Sequence, residues 1–79
     1  MNQQLYDRLF QDYVDYIVGI IKKKGIKTAN DLKDIVRKNI NRVDLRLARV
    51  VMVNNMRFGA FLDDTYESVG LATDIVIDD

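Results

Sequence analysis

The 79-residue sequence contains no cysteine, no histidine, no proline and no tryptophan, and Ser68 is its single serine. Without cysteine there is no disulfide framework, no thiolate nucleophile and no thiolate-bound zinc or iron–sulfur site. Without histidine, and with one serine, neither the usual general base nor a Ser-His-Asp arrangement can be assembled within one chain. Glycine is scarce as well, with four residues. Neither "GIIKKKG" nor "KNINR" has the spacing of a Walker or dinucleotide phosphate loop. Together these absences point to a non-enzymatic protein with no cofactor, no metal and no small-molecule substrate.

Long hydrophobic runs are missing too. The uninterrupted apolar part from Tyr16 to Ile21 falls far short of the ~20 residues that span a bilayer, and Asp12 and Asp15 stand just before it. The opening "MNQQLYDRLF" has neither the basic start nor the apolar core of a secretory signal. We therefore expect a cytoplasmic protein with no membrane partner.

What remains is rich in folding information. A hydrophobic content of 48% is too high for a disordered chain, so residues 1–79 should form one compact domain. So short a chain buries only roughly 60–65% of the surface its unfolded form exposes, which makes self-association or a partner an expected source of stability.

The formal net charge of zero conceals a strong segregation. Residues 1–21 carry Asp7, Asp12 and Asp15 against Arg8, net −2. Residues 22–57 carry eleven Lys or Arg against Asp31, Asp34 and Asp44, net +8. Residues 58–79 carry six acidic residues and no basic one, net −6. Such asymmetry marks an anion-binding surface or two surfaces that attract each other.

Periodicity supplies the elements. Arg8, Asp12, Asp15, Gly19 and Lys22 recur at spacings of four and three, one narrow polar stripe on an otherwise apolar helix over residues 3–24. Its apolar surface is wider than a surface helix needs, so it should be buried on more than one side. Gly25 is suited to close it in the left-handed conformation, with Lys22, Lys23 and Lys24 favouring the carbonyl end of the dipole. Gly19, in the middle, suggests close approach of another backbone. Thr28 or Asn30 can cap a second helix whose core face is Ala29, Leu32, Ile35, Val36 and Ile40.

Residues 43–62 are ambiguous. As a helix from Asp44, one side carries Leu45, Leu47, Ala48, Val51, Met52 and Phe58, and the other Arg46, Arg49 and Arg57. As strands, Asn54-Asn55 would be the turn of a hairpin, a weaker signal than Asn-Gly, and the helix is preferred. In the tail, Asp63 or Asp64 would cap a short helix, and Gly70 with the β-branched "TDIVI" suggests an extended end. The expected fold is thus mainly α, a small bundle of three to four helices with a long N-terminal helix.

Two functional expectations follow. The first is a regulator or inhibitor that binds a larger protein through its charge-segregated surface, a profile that small phage or mobile-element proteins fit. Its acidic surface would be Asp63, Asp64 and Glu67. That trio could in principle face a hard cation, but acidic residues near a helix start have a simpler role in offsetting its dipole. The chain would itself be a homodimer through Tyr6, Phe10, Tyr13, Ile17 and Ile20 of the first helix. The basic residues Lys33, Arg37, Lys38, Arg42, Arg46, Arg49 and Arg57 would meet either a protein partner or nucleic acid, and the alternative is a helix-turn-helix DNA-binding regulator built from residues 28–57 that presents them to phosphates and bases. Against it, the turn "NINR" lacks the usual glycine and the recognition helix is very apolar.

Overall fold

A computed structural model describes residues 2–40, 45–53 and 56–77. In chain order it contains α1 (Asn2–Lys24), α2 (Ala29–Ile40), α3 (Leu45–Val53) and α4 (Phe58–Thr73). The expected small helical bundle with a long first helix is what forms. No strand occurs among the described residues: 45–53 and 58–62 are helical rather than the arms of a hairpin, and the turn considered at Asn54-Asn55 lies outside the described residues.

α1 is the hub, packing against α4, α3 and α2. The whole polar stripe, Arg8, Asp12, Asp15, Gly19 and Lys22, faces solvent, while Tyr6, Leu9, Tyr13, Val14, Ile17 and Ile21 are buried. On the wet side the Gln3 and Gln11 amides donate to Asp7 and Asp15, each at 2.9 Å, pairs one turn apart that support the helix locally. Within the chain no backbone approaches Gly19: a β-carbon there would meet nothing within 4 Å. The apolar rows flanking Gly19 are real, but the glycine lies in the stripe between them.

α1 ends at Gly25, with φ of 70°. The Gly25 N–H donates to the Ile21 carbonyl at 2.9 Å and the Ile26 N–H to the same oxygen at 3.3 Å. This closure consumes orphan carbonyl capacity and seats Ile26 against the core. The same five-residue reach closes α3, from the Met56 N–H to the Val51 carbonyl, and α4, from the Ile75 N–H to the Gly70 carbonyl. In each case the donor residue is apolar and packs inward.

Thr28, not Asn30, caps α2: its hydroxyl accepts from the Asp31 N–H at 3.2 Å. Leu32, Ile35 and Val36 are buried, and α2 lies mainly on α4. α3 lies on α1 and buries Leu47, Val50 and Val51. Met52 and Phe58, assigned by periodicity to the inner side of one helix, are exposed instead. Phe58 belongs to α4 rather than to α3, so it does not share the phase of α3; Met52 lies in α3, on the side away from Leu47, Val50 and Val51.

α4 begins at Phe58, well before the expected caps Asp63 and Asp64, which lie in its second turn. Arg57 holds the N-cap position in extended conformation without a side-chain cap bond. Packing outweighs the missing cap. Phe61 is buried, its ring 6.0 Å from both the Phe10 and the Tyr13 rings, and placing such a side chain in a core is worth about 1.5–3 kcal/mol. The fully buried Thr65 hydroxyl satisfies itself on the Phe61 carbonyl at 2.9 Å. Gly70 does not interrupt the helix, which is therefore longer than expected and runs to Thr73. Asp74 then takes the left-handed conformation with φ of 60°, and residues 75–77 return over α4 as a non-helical strap.

Candidate functional site

The packing of α2 on α4, with the strap as a third wall, leaves an open groove of about 830 Å³. Lys33 and Arg37 come from α2, Asp63, Tyr66, Glu67, Gly70 and Leu71 from α4, and Asp74 to Ile77 from the strap. The two helices that carry opposite charge thus face each other across an apolar floor. Spacing explains the alignment: Lys33 and Arg37 lie one helical turn apart, as do Asp63 and Glu67.

Among the described residues no ion pair bridges the groove. Lys33 instead places its ammonium 5.8 Å from the centre of the Tyr66 ring, a cation–π contact worth about 0.5–1 kcal/mol near a surface. Arg37, Asp63 and Glu67 are exposed. Each of these charges is therefore hydrated and open to a partner group.

The remaining sequence-derived candidates distribute differently. Lys38, Arg49 and Arg57 are exposed but do not line the groove. Arg42 and the side chain of Arg46 lie outside the described residues. The acidic trio is split: Asp63 and Glu67 face the groove, whereas Asp64 acts on the far side of α4, where its charge helps raise the Tyr6 hydroxyl above its ordinary pKa of 10.0, behind the larger effect of burial. Among the described residues no group of three or more carboxylates is placed to hold a metal ion.

Of the row proposed for dimerisation, Tyr6, Tyr13 and Ile17 are covered by the chain's own helices. The Tyr13 hydroxyl donates to the Val36 carbonyl at 3.3 Å and the Tyr6 hydroxyl to the Met56 sulfur at 3.5 Å. Phe10 and Ile20 are half-buried, and Tyr16 beside them is exposed.

α2 and α3, the two helices a helix-turn-helix would pair, have their main contacts elsewhere, α2 with α4 and α3 with α1. No helix among the described residues is long and apolar enough to cross a membrane.

Periodicity did not reveal Tyr66, Leu71 and the strap as parts of a groove. The available signal was the pattern Ile75-Val76-Ile77 directly after Gly70 and Asp74, in which alternate side chains turn inward and Val76 outward. No family model matches the chain, and no curated protein or solved structure matches it either.

Proposed function

We propose that the protein is a non-enzymatic regulator or inhibitor that binds a larger protein through the α2–α4 groove. One observation carries this reading: walls of opposite charge, Lys33 and Arg37 against Asp63 and Glu67, stand over an apolar floor without an ion pair between them. Such walls select a segment with the mirrored pattern, acidic along its α2 side and basic along its α4 side, with apolar side chains between. Complementary charge fixes orientation and register and speeds encounter, while the apolar floor supplies the binding energy. The volume suits a few side chains of a partner segment.

Affinity capture from the native cell, with and without nuclease, tests this reading. The expected result is a protein retained after nuclease treatment and lost both with Lys33→Glu/Arg37→Glu and with Asp63→Lys/Glu67→Lys. Retention that depends on nucleic acid and vanishes with Arg49→Glu would replace it by the DNA-binding reading.

A further inference from the structure

α4 carries charges of the wrong sign for its own dipole. Its first turn has no acidic residue and its N-cap is Arg57, while its last turn has no basic residue and Asp74 follows it. Each misplaced charge forgoes, or opposes, the favourable interaction that a helix end offers. Departures from local rules concentrate where a surface has another task.

Apart from Tyr16 on α1, the large apolar side chains that are exposed among the described residues lie at these same two ends. At the α3–α4 junction Met52, Val53 and Phe58 are 74%, 62% and 56% exposed, flanked by exposed Arg49 and Arg57. At the other end Leu71 and Val76 are each 75% exposed, beside Glu67 and Asp74. Apolar side chains at this exposure gain by being covered, and the flanking charges say what covers them. A helix of 16 residues separates the ends by about 24 Å, so they cannot meet within one molecule.

We propose that the protein associates head to tail with further copies of itself: the basic, apolar α3–α4 junction of one copy docks on the acidic, apolar C-terminal end of α4 of the next. Phe58, Met52 and Val53 are the apolar anchors, and they meet Leu71 and Val76. Arg57 and Arg49 meet Asp74 and Glu67. The helix ends reinforce the contact, because the positive pole of one α4 approaches the negative pole of another. Two different surfaces are used, so the contact is heterologous and propagates into a ring or an open chain rather than stopping at a twofold dimer. The arrangement does not rest on a larger partner, although it uses the strap side of the same groove. A partner held there would compete with the next copy.

Charge exchange between the two ends tests this with purified protein alone. Sedimentation velocity from micromolar to millimolar protein should show the wild-type mass rising past the dimer with concentration and falling as salt is added. Arg57→Glu alone leaves Arg49 opposed by a carboxylate and cancels the charge of the basic end, and Asp74→Lys alone likewise cancels the charge of the acidic end against Glu67. Each should weaken self-association about tenfold, the equivalent of one well-placed interface charge pair. An equimolar mixture of the two, and separately the double variant Arg57→Glu/Asp74→Lys, should recover association. Circular dichroism should show all three as helical as the wild type, since both changes place charges that α4's dipole favours. A wild type that stays monomeric or stops at a dimer over this range, or a double variant that fails to recover, would overturn the proposal.

Discussion

Ile77 occupies the space beside Gly70 that a β-carbon would need: one built on Gly70 would lie 2.9 Å from the Ile77 Cγ1 and 2.9 Å from the Ile75 carbonyl oxygen. The side chain could swing away, but the carbonyl is held by the backbone that also returns the Ile75 N–H to Gly70. Gly70→Ala should therefore lift the strap at a cost of about 1–3 kcal/mol, against the ~1 kcal/mol that alanine gains in a helix, for a net loss of up to about 2 kcal/mol. Thermal unfolding and cleavage by protease at 74–77 measure this, and a raised midpoint with an uncut strap would refute it.

Gly19 should behave in the opposite way. It lies in mid-helix, exposed, with open space where a β-carbon would sit. Gly19→Ala should stabilise the protein by about 0.5–1 kcal/mol, seen as a higher urea midpoint at unchanged slope. No gain would mean that another molecule approaches α1 there.

Burial pushes the Tyr13 hydroxyl from its ordinary 10.0 to about 12, with the Tyr66 and Tyr16 hydroxyls adding to the effect. The folded state thus holds this proton more tightly than the unfolded chain. The associated stability is complete below about pH 10 and is lost as pH rises toward 12, on the order of 2 kcal/mol in all. The raised Tyr6 acts in the same direction. Tyr13→Phe should shift alkaline unfolding, followed by circular dichroism, to higher pH. An unmoved transition would assign alkaline unfolding to other groups.

Thr28→Ala removes the hydroxyl that accepts from the Asp31 N–H and should cost about 1 kcal/mol, while Thr28→Ser should restore most of it. Because Thr28 is exposed, the loss reports the cap rather than a cavity. Equal stability of the alanine and serine variants in urea would exclude a capping role.

The N-terminal half was legible because its information is local. The stripe from Arg8 to Lys22, the closure at Gly25 and the cap at Thr28 follow from spacing and the backbone preferences of single residues. Where α4 starts is decided by Phe61 packing on Phe10 and Tyr13, some fifty residues away in sequence, and no cap residue announces it. The groove was hidden for the same reason. Lys33 and Glu67 were recognisable as charged, but only the packing of α2 on α4 brings them to opposite walls. Gly70 could be misread as a breaker because its use is tertiary: it makes room for Ile77.

The backbone bonds that return Ile26, Met56 and Ile75 five residues to Ile21, Val51 and Gly70 also decide where the chain tolerates added length. At the end of α1, Ile26 fixes the exit direction before the rest of the connector, Lys27 and Thr28. Residues inserted between Lys27 and Thr28 fall after that anchor and before the next cap, at a cost set by loop entropy, about 0.6 kcal/mol per doubling of length. The same residues inserted between Gly25 and Ile26 would pull Ile26 from its seat and leave α2 to find its place without a guide. Between α1 and α2 the molecule thus separates steering from spacing: this connector can change length after Ile26 while both helices keep their seats.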